Sequence, residues 1–161
     1  MKYLIVTSIA AATMVIATTS AEARTTRERY TAVTNAQVEG LFAGFNAAWA
    51  TKNPQSVTRL FAPDAVLLAT VSNTPRTTSA LINDYFVSFL KNSPVATIDT
   101  SSVWLGCNVA TRVGTWTVAL TNPQTNAVTN VKARYSFIYR NGPNGWKIYH
   151  LHSSMMPEPT S

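Results

Sequence analysis

Apolar residues recur at three- and four-residue steps from Val38 to Trp49, through Leu41, Phe42, Phe45 and Ala48. That spacing predicts an amphipathic helix of about five turns with Phe42, Phe45 and Trp49 toward a core. Thr34-Asn35-Ala36-Gln37 in front of it is an S/T-x-x-Q capping box, and the helix is expected to end near Lys52. Asn53-Pro54 restarts a short helix, with Asn as cap, Pro at the first helical position, and Val57, Leu60 and Phe61 as its apolar stripe. Pro63-Asp64 closes that helix, and Ala65 to Val71 is apolar enough for a buried strand. Thr77 or Thr78 caps a third helix with Leu81, Ile82, Tyr85, Phe86, Phe89 and Leu90 apolar, ending by Ser93-Pro94.

The pattern then changes period. Ala96 to Cys107, Ala110 to Thr121, Ala127 to Arg140 and Trp146 to Ser154 read as four strands joined by Asn-rich or Pro-containing turns. Asn141 to Gly145, between aromatic and β-branched runs, is a strong hairpin signal. Strict alternation along the last strand puts Trp146, Ile148, His150 and His152 on one face and Lys147, Tyr149, Leu151 and Ser153 on the other. A single bulge would reverse that parity. The element order α-α-β-α-β-β-β-β predicts an α+β roll, a curved antiparallel sheet wrapped around the long first helix.

The first 23 residues stand apart from this pattern. Lys2 is followed by an apolar run from Tyr3 to Ala17 and an A-x-A site at Ala21-Glu22-Ala23, the layout of a cleaved Sec-type signal peptide. The expected mature chain is a single domain over residues 24–161, periplasmic or secreted and free of the membrane after cleavage. Arg24 to Tyr30 is a charged leader. Cys107 is the single cysteine. That excludes an intramolecular disulfide and a cysteine-based metal site, and a buried, inert thiol is expected.

Formal net charge is +6, and its distribution matters more than its size. No Asp or Glu occurs between Thr100 and Pro157, whereas Arg112, Lys132, Arg134, Arg140 and Lys147 do. A sheet with one sign of charge favours anionic ligands. Scattered basic residues on an exported chain lack the clustered footprint of a nucleic-acid binder. Phosphate-loop, G-x-S-x-G, HExxH and C-x-x-C patterns are absent.

His150 and His152 are the only histidines. They fit an interface or the end of the sheet, a ligand pocket, or a metal, in that order; a metal needs further ligands, and acids are missing from this half of the chain. No metal or cofactor is expected. Arg112 and Arg134 lie mid-strand without acidic partners, which suits a bound carboxylate unless both face solvent, and Arg134 shares its parity with Lys132, Ser136 and Arg140. Tyr85, Trp104, Trp116 and Tyr135 are read first as core and second as cavity lining. Catalysis of the ketosteroid-isomerase type needs a cavity carboxylate as base. Only Asp84 and Asp99 are placed for that, without a recognisable acid–base partner, leaving His150 as a substitute base.

One stretch carries a family resemblance. The aromatic strand, the Asn-Gly turn, then Gly145-Trp146-Lys147-Ile148-x-His150-x-His152-Ser153 and Pro157 resemble the last hairpin of the association (hub) domain of calcium/calmodulin-dependent protein kinase II. Helix, Asn53-Pro54, short helix and Leu60-Phe61-x-x-Asp64-Ala65-Val66 resemble the opening of SnoaL-like domains of the nuclear transport factor 2-like superfamily. The resemblance implies that superfamily's cone-shaped roll. It also implies self-association, at least as dimers through the outer sheet face, and an inner cavity with arginines that accept small carboxylates. Arg112 and Arg134 match two of those arginines, and Ser153 stands where a third would be. His-x-His in the hub is not a metal site. No kinase or calmodulin partner is implied.

The expectation is thus an exported, self-associating and non-catalytic domain whose pocket takes a small anionic or aromatic ligand through Arg112, Arg134, His150, His152, Tyr85 and Trp116. The rival is a SnoaL-like isomerase, dehydratase or cyclase on a polyketide- or steroid-like substrate, with His150 as the base.

Overall fold

The computed structural model describes residues 32–157. The expected signal peptide over residues 1–23, the Arg24–Tyr30 leader and Glu158 lie outside the described residues. Helix α1 spans Asn35–Ala50. Its capping box is formed: Thr34 Oγ1 accepts from the Gln37 N–H at 3.2 Å, and Gln37 Oε1 accepts from the Thr34 N–H at 2.8 Å. Val38, Phe42, Phe45 and Trp49 are its buried face. Asn53 caps α2, Pro54–Thr58, and Thr78 caps α3, Ser79–Phe89. A single 3₁₀ turn, Leu90–Asn92, closes α3, with Ser93 in the left-handed region at φ 44°.

The strands are β1 Phe61–Leu68, β2 Val95–Gly106, β3 Val109–Thr121, β4 Val128–Gly142 and β5 Gly145–Met155. They form one sheet in the order β1-β5-β4-β3-β2. The β2–β3, β3–β4 and β4–β5 pairs are antiparallel, and β1 joins the edge parallel to β5. The fold is thus the α+β roll with a curved, unclosed sheet. β1 begins earlier than its sequence suggests. Phe61 is its first residue rather than part of the α2 stripe, because the Leu60 carbonyl accepts the Ile148 N–H of β5 at 2.8 Å. Pro63 is tolerated because β1 is an edge strand and the register slips between Phe61 and Val66.

α1 lies across the inner face of the sheet. Phe137 on central strand β4 meets Phe42 at 6.1 Å, Phe45 at 5.4 Å and Trp116 at 5.8 Å between ring centroids, mostly edge-on as aromatic pairs prefer. Phe45 carries the packing on to Phe61 and Phe86, tying β1 and α3 to the same cluster.

Two bulges set which side chains face inward. In β2, Asp99 is the extra residue between Ile98↔Trp116 and Thr100↔Thr115. It drives the Thr100 carbonyl over Gly114, where a Cβ would lie 2.0 Å from that oxygen. In β5, Tyr149 is extra between Tyr139↔Ile148 and Ile138↔His150. Alternation reverses there. Ile148 is buried, but beyond the bulge the buried residues are Leu151 and Ser153, so the expected grouping of His150 and His152 with Ile148 fails. Two further expectations are corrected. Trp104 is 59% exposed rather than core, and Cys107 is exposed in the β2–β3 turn, beside Asn108 at φ 56°, rather than buried in a strand.

Candidate functional site: a buried arginine and an aromatic slot inside the roll

Arg112 points inward from β3 and is 6% exposed. Its Nε donates to Ser101 Oγ on the neighbouring strand at 2.9 Å, and its guanidinium carbon lies 5.2 Å from the centroid of the Phe42 ring. Nη1 is buried with no partner. Tyr139, 1% exposed on the inner face of β4, also has a buried hydroxyl without a partner. Burial pushes that hydroxyl well above its usual pKa, and the nearby Arg112 charge opposes the rise. Among the described residues the ion pairs are Arg76–Asp84 and Arg140–Asp64, so no carboxylate neutralises Arg112. A buried cation with one unpartnered N–H group and a phenol without a partner form a site fitted to an oxygen anion.

A second feature lies behind Phe42, whose ring is 6.3 Å from Trp116. Trp49, Tyr85, Phe86, Phe89, Trp116 and Leu151 are among the residues enclosing an aromatic slot of about 30 Å³, room for a water or two. Ser153 Oγ in its lining accepts from Trp116 Nε1 at 3.2 Å and from the Thr70 hydroxyl, whereas Trp49 Nε1 is buried without a partner. Tyr85 and Trp116 both line the slot.

The remaining expected site residues stand on the other side of the sheet. Arg134 is exposed on the outer face of β4, next to Thr115 and Ser154 in register. It forms no pair with Arg112, because the two positions differ in parity across the β3–β4 ladder, Arg112 opposing Phe137 and Thr115 opposing Arg134. His150 and His152 are turned outward by the Tyr149 bulge, opposite Ile138 and Ser136. Burial, then the adjacent His152, lowers the His150 pKa from 6.5, and a hydrogen bond with the Val66 backbone acts the other way. Among the described residues no group of three metal-binding side chains forms around either histidine. Asp84 and Asp99, the candidate bases, are bound on the surface to Arg76 and to the Thr117 hydroxyl.

Sequence reasoning missed Tyr139, Ser101 and Arg76. Tyr139 could have been found, since it shares the parity of Phe137 on its strand and Phe137 opposes Arg112. Ser101 reaches Arg112 only because of the Asp99 bulge. Arg76 sits in a loop whose path over Tyr85 no periodicity describes.

A cone of this topology, with a helix across the concave face and an outer face left uncovered by it, defines a nuclear transport factor 2-like domain. A superfamily protein from Salmonella enterica serovar Typhimurium aligns over 78% of this chain and 92% of its own with a TM-score of 0.67 at 14% identity. A ketosteroid isomerase-like protein from Erwinia carotovora aligns over 76% and 95%, TM-score 0.62, at 17% identity. Those two share the fold. Residues 34–157 match the calcium/calmodulin dependent protein kinase II association domain family. A solved protein from Xanthomonas campestris, assigned to that same association domain, is 40% identical over 80% of this chain and 97% of its own, with a TM-score of 0.74. No curated protein sequence matches at a significant level. The chain belongs to the calcium/calmodulin dependent protein kinase II association domain family.

Proposed function

We propose that this chain is an exported, self-associating domain that holds a small carboxylate at Arg112 and performs no chemistry on it. The observation that carries the proposal is the unneutralised Arg112 guanidinium, buried on the same sheet face as the unpartnered Tyr139 hydroxyl, on which its charge acts. A carboxylate has two oxygens, one for each orphaned donor, and it cancels the buried charge. Membership of an association-domain family supports assembly with a second copy. The outer sheet face offers a cross-strand row for it, Val66–His150–Ile138–Thr111–Trp104, partly apolar and half-buried to exposed. His150 belongs to that row in this reading and contributes packing, not proton transfer.

The test pairs ligand-induced melting shifts with a mass measurement. Small carboxylates are expected to raise the melting temperature of the wild type and of Arg134→Ala alike, and to leave Arg112→Ala unmoved. At a hundredfold excess over Kd the stabilisation is about 2.7 kcal/mol. Light scattering is expected to give a dimer or larger, and Ile138→Glu to lower that mass. Equal shifts in all three proteins, no shift at saturating carboxylate, or a monomeric wild type would each overturn the corresponding part.

A further inference from the structure

Next to the aromatic slot, and sharing Val71, Tyr85 and Phe89 with it, a polar cleft of about 270 Å³ opens between α3 and the loop after β1. Arg76, Asp84, Ser72, Ser88 and Asn92 line it. Arg76 starts from a fixed point. Its N–H donates to the Leu67 carbonyl and its carbonyl accepts the Leu67 N–H, both at 2.9 Å, which stitches the loop to β1. Asp84 comes from the other wall, on α3.

The side-chain bonds around this cleft are all long. Arg76 Nη1 donates to Asp84 Oδ2 at 3.4 Å, Arg76 Nη2 to Ser72 Oγ at 3.5 Å, and Asn92 Nδ2 to the Phe89 carbonyl at 3.4 Å. Arg76 Nε is buried with no partner. By contrast the pair of Arg140 with Asp64 closes to 2.9 and 3.0 Å. A guanidinium has five N–H groups and a carboxylate about four acceptor sites, so one 3.4 Å contact leaves most of both unspent. A plain anion in the cleft would meet Asp84, and a plain cation would meet Arg76. A molecule carrying an ammonium and a carboxylate on the same carbon avoids both clashes. Its ammonium on Asp84 and its carboxylate on Arg76 would complete a ring of four alternating charges, each beside two of opposite sign. The short span between Arg76 and Asp84 suits charges that close together, and not the separated termini of a peptide. Val71, with Tyr85 and Phe89, supplies an apolar wall for whatever side chain the molecule carries.

We propose that the Arg76–Asp84 cleft is a binding site for a free α-amino acid, with its carboxylate on Arg76 and its ammonium on Asp84. The cleft shares no residue with the surroundings of Arg112, so the two sites stand or fall independently.

The probes are neutral α-amino acids from glycine to phenylalanine, titrated calorimetrically, with propanoate, alanyl-alanine and the β-homologue of the tightest binder as comparators. The titrations use the full chain carrying Arg112→Met, which fills similar space and removes the inner arginine as a second carboxylate binder. At least one α-amino acid is expected to bind with a Kd below about 10 mM, and its β-homologue and alanyl-alanine more weakly. Adding Arg76→Gln, checked for native circular dichroism, is expected to weaken that amino acid about tenfold or more. Asp84 is 74% exposed, so Asp84→Asn spares the core. It is expected to move two ligands in opposite directions, the amino acid weaker by about three- to fivefold and propanoate tighter. The proposal is overturned if no α-amino acid binds at that level, or if the β-homologue binds equally well. It is also overturned if binding survives Arg76→Gln at full strength, or if Asp84→Asn shifts amino acid and propanoate in the same direction or neither of them.

Discussion

Replacing Arg112 by methionine should make this protein more stable, not less. The isolated charge costs several kcal/mol to bury even after relaxation. Against that stand one charged hydrogen bond to Ser101, roughly 1.5–3 kcal/mol, and the contact with Phe42, about 1–2 kcal/mol. The balance leaves Arg112 as a net cost of about 1–3 kcal/mol in the unliganded protein. Methionine fills similar space and keeps a sulfur–aromatic contact with Phe42. Ser101 is exposed, so water replaces the lost hydrogen bond there. Urea unfolding in a chloride-only buffer should therefore give Arg112→Met a higher unfolding free energy by about 1–3 kcal/mol, with a melting point up by roughly 4 °C per kcal/mol for a domain of this size. Saturating small carboxylate should lift the wild type and leave the variant unmoved, narrowing or inverting the order. If Arg112→Met is instead less stable by more than about 1 kcal/mol without carboxylate, the protein satisfies its own arginine and the anion site is wrong.

Gly114→Ala should destabilise by about 1–3 kcal/mol or more, read as a lower urea midpoint at unchanged slope, because the added Cβ would lie 2.0 Å from the Thr100 carbonyl oxygen and 3.0 Å from the Tyr135 hydroxyl; an unchanged midpoint would mean that the Asp99 bulge is not fixed. His150 predicts a pH dependence. Its folded pKa lies below its ordinary 6.5, so the unfolded chain binds the proton more readily, and stability should fall as pH drops through and below about 6.5. His150→Asn should flatten that part of the stability–pH curve, and an identical slope in wild type and variant would assign the dependence to another group.

Much of this protein is readable from one dimension because its local signals are self-sufficient. Thr34–Gln37, Asn53-Pro54 and Thr78 satisfy helix-terminal N–H groups with side chains two or three residues away, so the caps are legible without any tertiary knowledge. The buried stripe of Phe42, Phe45 and Trp49 follows from the 3.6-residue period alone. The four long strands emerged within a residue or two of their bounds, and with them the roll. The hairpin motif around Trp146 to His152, together with the Asn53-Pro54 opening, carried the family.

The site was only half legible, and the reason is parity. A strand's facing is a running count, and a single extra residue inverts everything after it. Tyr149 in β5 sent His150 and His152 outward and brought Leu151 and Ser153 in. Whether such an extra residue is accommodated depends on the partner strand, where Ile138 and Tyr139 pair with both of its neighbours, and that pairing is non-local. Arg134 was betrayed by its own polar companions Lys132 and Ser136, which sequence does display. Arg76 over Tyr85, Ser101 under Arg112 and Tyr139 without a partner exist only through contacts between segments remote in the chain. Sequence determined the elements, their caps and the family, because those depend on neighbours within about four residues; tertiary structure alone decided which charges are buried, since burial is a property of the curved sheet packed on its helices and not of any strand in it.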